Sequence, residues 1–353
     1  MTAPVFFASI FLAAAALLSQ ATFADSPNRT RPAVFFVATN GNDNWSGTNA
    51  WANSTRAEGP FATLPRALAA SRAWRHAFHA TNNTVRIVLR EGVYYLTEPL
   101  VLTPEDSGLV LAAYPNEKPV LSGGRLVTGW EATTVNGRAA WVAEIPDVRR
   151  GKWAFHELWV NGGRAPPARH PAHGFLRIAG VPDKTPAWNI GSFRFQFHPG
   201  DLMSTKAITN AELVVMSLWM DSHLPVASVD ESNHIINFSK RPLYRMDPGD
   251  LYYLQGAIDF LDQPGQWCLD SSAGRLYYLP RPGETLNEFE AVAPVLAQLI
   301  RFDGDPGHRQ WVERVRTEGL TFSHTEWYFP RLPLRSRNNT EIAPAPDPVV
   351  GQL

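Results

Sequence analysis

Between residues 85 and 121 short apolar runs alternate with polar spacers: "VRIVL" at Val85–Leu89, then runs at 93–96, Leu100–Leu102, Leu109–Ala113 and 120–121. Each run is a few residues long, and the spacers carry Gly, Pro, Glu and Asp. Val85 to Leu109 is 24 residues and Val101 to Leu121 is 20. A strand-only repeat of this period is what successive coils of a β-solenoid produce, because one coil buries its apolar face only by stacking on the next. An ordinary β-sandwich is the alternative that gives similar runs.

Ahead of these runs, "GPFATLPRALAASRAWRHAFHA" places Phe61, Leu64, Leu68, Trp74 and Phe78 on one helical face. Thr63 is the expected N-cap, and Pro65 falls in the first turn, where a missing N–H costs nothing. An amphipathic helix before the first coil is expected to cap an otherwise open apolar end. From about Arg125 the rhythm lengthens. "VTGWEATTVNGRAAWVAEIPD" reads as strand, Asn136-Gly137 turn, strand. "FHELWVNGGRAPPARHP" gives another strand and turn, and two further strands flank 272–274. The short-run rhythm returns in "VERVRTEGLTFSHTEW". After Pro330 the text loses strand rhythm and becomes rich in proline.

These patterns divide the chain into five segments. Residues 33–124 hold the cap helix and first coils, 125–294 a β-rich insertion, 295–330 a resumed coil and 331–353 an irregular tail. Residues 1–24 read as a signal peptide: the apolar run 5–18 is short for a membrane span, and small residues suited to cleavage follow at Ala21 and Ala24. The n-region carries no Lys or Arg, which leaves an uncleaved anchor as the alternative. The expectation is export to the periplasm, cell surface or medium.

Composition narrows the partner. The 353 residues carry a net charge of -1 and 18% charged side chains, which gives no electrostatic footprint for nucleic acid or anionic lipid. Twelve tryptophans and 29 prolines suit a loop-rich β protein that handles sugar, whose apolar ring faces stack on indole and phenol rings. Cys268 is the single cysteine, so no intrachain disulfide can form, and without a neighbouring base it reads as a buried strand residue.

The ordered series "NGNDNWSGT", "GPFATLPRAL", "LREGVYYLTEPLVLTPEDSGL", "AYPNEKPVLSGG", "LWVNGGRAPPARHP", "LDQPGQWCLD", "LYYLPRPGE", "APVLAQLIRFDG" and "GLTFSHTEW" resembles the N-terminal part of glycoside hydrolase family 141 proteins, within the pectate-lyase-like superfamily. The resemblance runs from about Val34 to Phe329. It implies an all-β fold: a right-handed parallel β-helix with a capping helix, interrupted after two coils by an antiparallel β insertion domain. It also implies hydrolysis of plant cell-wall glycans, with fucosidase and xylanase activities both represented. Relatives usually carry Glu where Gln266 stands and an aromatic where Cys268 stands. They continue through further coils that bear the presumed catalytic acids. The resemblance therefore implies that C-terminal coils are missing here and that this chain is catalytically silent.

Glycoside hydrolysis needs two carboxyl groups across the scissile bond. Glu326 sits on the right kind of coil but has no partner on a following one, and reads as a solvated loop acid. Ser323 and His324 are adjacent on a strand and point to opposite faces, so they cannot form a nucleophile–base pair. No catalytic residue is assigned. The candidate substrate-binding residues are His324 as a sugar hydrogen-bonder, Trp327 as a stacking ring, and Arg164 and Arg169 as clamps for a sugar carboxylate.

Metal readings are weaker. "FHELW" has Val160 where a zincin needs its second His, and His170 with His173 fit a proline-containing loop better than a metal pair. Asn42, Asp43, Asn44 and Ser46 read as a tight turn rather than as the lining of a cation loop. Asp259 and Asp262 fit a turn better than the ligand cluster of a metal-dependent lyase. No metal or cofactor is expected, and the expected partner is a polysaccharide or oligosaccharide bound by a monomer. A non-catalytic glycan-binding module and a polysaccharide lyase are the alternatives.

Overall fold

A computed structural model of the chain describes residues 33–327, apart from 56–57, 79–82, 203–207 and 209–210. The expected leader over 1–24 and tail over 331–353 lie outside the described residues. Within them the chain is predominantly β, with two α-helices, Leu64–Ala77 and the single turn Pro146–Arg149.

The short apolar runs stack in parallel. Val34–Val37, Val85–Leu89, Leu109–Ala113 and Arg316–Glu318 form one parallel sheet. Val93–Tyr95, Val120–Ser122 and Thr321–Ser323 form a second, and Leu100–Leu102 pairs with Ile300–Phe302 in a third. Val85 lies opposite Leu109, so the 24-residue spacing is one step of stacking. The 20-residue spacing is not. Val101 pairs with Arg301, and Leu121 pairs with Tyr94. Three short runs of similar composition occur in each circuit, so apolar spacing alone does not tell which run lies over which. Val37, Val85, Ile87, Leu89, Leu102, Leu109, Leu111 and Leu121 point into one core and are essentially fully buried. Each large one contributes about 1.5–3 kcal/mol.

Helix Leu64–Ala77 covers that core with Leu64, Ala67 and Leu68. Thr63 Oγ1 accepts from the Arg66 N–H at 3.3 Å, as an N-cap should. Phe78 departs from the expected face. It is the C-cap residue, where the backbone leaves the helix, and its side chain is exposed. The loop before the helix serves the helix itself. Asp43 Oδ1 accepts from the Ala62 and Thr63 N–H groups at 2.8 and 2.9 Å, and Oδ2 from Thr63 Oγ1 at 2.8 Å.

Gly124–Val127 pairs antiparallel with Ala291–Pro294, so the intervening chain leaves and returns side by side. Between them, Trp130–Val135 and Arg138–Glu144 form a hairpin closed by Asn136 (φ 51°) and Gly137 (φ 73°). Two successive positive φ angles are what a tight two-residue turn requires. Arg275–Tyr278 and Trp267–Asp270 extend that sheet. Cys268 is buried there, its Sγ donating to the Gly256 carbonyl at 3.0 Å, and burial pushes its thiol up to about 12.

A seven-stranded antiparallel sheet completes the segment, centred on Glu212–Ser217, Met220–Asp230 and Leu251–Gln255. Leu213, Val215, Leu224, Tyr252 and Leu254 face its core. Side chains alternate along a strand, so Glu212, Val214, His223, Tyr253 and Gln255 occupy the opposite face.

Candidate functional site

That opposite face meets the end of the resumed parallel strands. Glu212 lies beside Gln255 in the register, Val214 lies opposite both His223 and Tyr253, and the row is predominantly polar. His223 Nδ1 donates to Glu212 Oε2 at 2.8 Å, and Gln255 Nε2 donates to the same oxygen at 2.6 Å. Asp221 Oδ2 lies 3.6 Å from His223 Nε2. Burial alone would raise the Glu212 carboxyl, but the bond and charge of His223 hold it below its ordinary value. The same contacts act in reverse on the imidazole. Burial opposes charge on His223, and Glu212 with Asp221 overcomes this and raises it.

The second pair crosses from the insertion to the parallel strands. Glu326 is 3% exposed, so its carboxylate is buried rather than solvated as the sequence suggested. Oε2 accepts from the His156 N–H at 2.8 Å, Oε1 accepts from the Trp327 N–H at 3.0 Å, and His156 Nδ1 lies 3.5 Å from Oε1. Burial works against the charged His156 ring, yet Glu326, with Glu212 beyond it, carries its pKa above the ordinary value. Burial also raises the adjacent Glu157 carboxyl. Arg164 opposes that shift, and the charge of Glu326 adds to it.

The four residues singled out from sequence all lie along this junction. Arg164 pairs with Glu157 at 3.1 Å and its guanidinium stands 5.2 Å from the Trp159 ring centroid. His324 meets the same indole edge-on at 5.1 Å and hydrogen-bonds Ser122 Oγ through Nδ1 at 2.8 Å. Trp159 thus joins Arg164 to His324, whose charged form burial disfavours. Trp327 is 56% exposed, with its ring 6.4 Å from that of His223. Arg169 pairs in register with Gln255, and its guanidinium lies 3.9 Å from the Tyr253 ring centroid. Sequence reasoning missed Glu212, His223 and Trp159, and set His156 aside with the rejected zinc motif. The period-two pattern of "ELVVMS" was the one signal available, since it puts Glu212 opposite the apolar face.

The arrangement offers an exposed indole beside buried, charged hydrogen-bonding groups. Each acid is already engaged: Glu326 by two backbone N–H groups and His156, Glu212 by His223 and Gln255, Glu157 by Arg164. Among the described residues no three His, Cys, Asp or Glu side chains are grouped to hold a metal ion. His170 Nε2 donates instead to the Asp201 carbonyl at 2.7 Å.

Residues 138–281 match the family model of the GH141 insertion domain. A solved structure described as a glycoside hydrolase is 28% identical, with a TM-score of 0.65. The match covers 84% of this chain and 51% of that one, so the chain spans about half the length of that structure. A second solved structure, of XylC in complex with xylose, is 14% identical over 84% of this chain and 36% of its own, with a TM-score of 0.34. No curated protein matches the chain. The chain is GH141-like.

Proposed function

We propose that this GH141-like chain is part of an exported, carbohydrate-active protein of the glycosidase type, and that it binds plant-type polysaccharide at the junction of Trp159, His223, Glu326 and Trp327. The observation that carries this reading is Trp327. A ring more than half exposed, flanked by His223 and the Glu326–His156 pair, supplies an apolar platform with polar groups at its edge. A pyranose needs both, one for its C–H face and one for its hydroxyls. The likeness to a glycoside hydrolase supports a sugar as the occupant.

The three parallel sheets are, on this reading, coils of a right-handed β-helix, with 125–294 as its insertion domain and 1–24 as the signal for export. Hydrolysis asks for one protonated and one ionised carboxyl held across the bond. The junction acids are instead tied to cationic or N–H partners, which favours binding without turnover by these residues.

Affinity electrophoresis of the full chain in gels containing xylan, pectin or xyloglucan tests the reading. Retardation by at least one polymer is expected, with loss of about tenfold in affinity for Trp327→Ala. Migration unchanged by every polymer sinks it. Release of reducing ends from the bound polymer would overturn the proposed silence while leaving the binding site in place.

A further inference from the structure

The hairpin that joins Glu212–Ser217 to Met220–Asp230 closes on Leu218 and Trp219, because Ser217 already pairs with Met220. Two-residue turns favour Gly, Asn or Asp, whose backbones enter the left-handed region readily. Here Leu218 takes φ 51°, a conformation that costs a side chain of its size about 1 kcal/mol. Both residues are exposed and neither belongs to the core of the sheet. Trp219, at 73%, is the most exposed large hydrophobic side chain among the described residues. Folding gains nothing from an apolar pair at this tip.

Trp219 has aromatic company. Its ring lies 5.6 Å from that of Trp188 and 5.3 Å from that of Tyr244, nearly perpendicular to both. Trp188 and Tyr244 lie 5.8 Å apart at only 20° to one another, so the three rings make a corner. Trp188 is 53% exposed and Tyr244 is half-buried. The loops that carry them are fixed. The Arg245 N–H donates to the Trp188 carbonyl at 2.9 Å, and Thr185 Oγ1 donates to the Ile190 carbonyl at 2.6 Å. Gly191 approaches so closely that a Cβ would lie 2.4 Å from the Pro242 carbonyl oxygen. Rings held on fixed loops lose little freedom when a ligand lands on them.

We propose that Trp188, Trp219 and Tyr244 form a second glycan-binding surface, separate from the junction, that takes a single neutral polysaccharide chain. It rests on the carbohydrate reading above and adds a place of contact within the residues matched to the GH141 insertion domain. Trp219 stands four residues, or about 13 Å, from His223 along the strand. A flat plate of rings would suit a sheet of packed glycan chains, whereas a corner suits one chain with a sugar on each wall. The charges beside the rings are spent on one another: Asp247 pairs with Lys184 at 2.6 Å and with Arg245 at 3.2 Å. That disfavours an acidic polymer, and equally an anionic membrane, which calls for a cluster of basic residues. With their chain neighbours Leu218 and Leu243 the rings expose about 500 Å². Each partner of a stable protein complex buries about 800 Å², so the area fits a glycan better than a protein.

Affinity electrophoresis of the full chain in xyloglucan, galactomannan, hydroxyethyl cellulose and polygalacturonate tests the assignment. At least one neutral polymer is expected to retard it, and Trp219→Ala and Trp188→Ala each to weaken that binding about tenfold. Trp219→Phe keeps a ring and should lose less. If one alanine variant does not fold, the other and Trp219→Phe decide the matter. Wild-type binding by Trp219→Ala and Trp188→Ala, with loss in Trp327→Ala, overturns this surface and leaves the junction reading intact. The reverse pattern supports this surface and removes the junction. Retardation by polygalacturonate alone overturns the neutral assignment. Sedimentation with phosphatidylcholine–phosphatidylglycerol vesicles, or self-association, that Trp219→Ala abolishes also overturns the proposal. A chain that no polymer retards removes both sites.

Discussion

Glu326 Oε2 accepts the backbone N–H of His156 at 2.8 Å across 170 residues of chain. The bond ties the end of the resumed parallel strands to the entry of the antiparallel segment, and the buried carboxylate also holds the Trp327 N–H. Glu326→Ala leaves two N–H donors and the His156 ring without their acceptor. The expected cost is about 2–4 kcal/mol. Glu326→Gln keeps a neutral acceptor in nearly the same place and should lose clearly less. Urea unfolding of the three chains checks this, and equal midpoints for wild type and Glu326→Ala would refute it.

The junction histidines give the stability a pH signature. His156 and His223 are both raised in the folded state, so their contribution is complete below the unfolded value of about 6.5 and fades as pH rises through the folded values. Glu212 is lowered, and its contribution is lost as pH falls through its folded value, below about 4.5. The two ion-paired histidines therefore stabilise most between about pH 4.5 and 6.5. His324, lowered by burial, costs stability as pH falls below about 6.5, and Glu157, raised mainly by burial, costs stability as pH rises above about 4.5, so both oppose the ion pairs in that interval. The useful quantity is therefore the difference between wild type and His156→Gln, His223→Gln. That difference in Tm should shrink steadily from pH 6 to pH 9, and a difference that grows with pH would contradict the assignment.

The Asp43 carboxylate spends both oxygens on the start of helix Leu64–Ala77. Asp43→Ala should destabilise by about 1–2 kcal/mol, the usual effect of removing an N-terminal cap. With those oxygens engaged, millimolar calcium or a chelator should leave the Tm unchanged. A rise of several degrees with calcium would restore the cation loop that "NGNDNWS" also suggested.

Local features were readable because their physics is local. The Thr63 cap, the Asn136-Gly137 turn and the stacking of Val85 on Leu109 each depend on residues a few positions, or one circuit, apart. The junction was not readable, because Glu212 and His223 sit on two strands while His156 and Glu326 come from two loops far away in the chain. Glu326 illustrates the gap. A Glu beside His and Thr at the end of a short strand reads as solvated, and only the packing of the antiparallel segment over it removes the water. Gln266 is similar in kind: its Oε1 accepts the Asp262 and Gln263 N–H groups, a local turn contact that a neutral amide serves as well as a carboxylate.

The glycine pair in "VLSGG" marks where the two kinds of sheet join, and it explains why no larger residue fits. Gly124 pairs with Pro294 at the root of the insertion. A Cβ there would lie 2.4 Å from Val292 Cγ1 and 2.9 Å from His324 Cβ. Both neighbours are held: Val292 sits in the strand Ala291–Pro294, and His324 is fixed by Ser122 and Trp159. Neither can yield without opening the strand pair or pushing the imidazole off its indole. Gly124→Ala should therefore destabilise by about 1–3 kcal/mol, the range for overpacking. It should also weaken the glycan binding proposed for the junction, through the displaced His324. By contrast Gly129→Ala has open space around its Cβ position and pays only for its φ of 75°. Calorimetry of the two variants gives the comparison, and a Gly124→Ala chain as stable as wild type would show that the junction is looser than these contacts require.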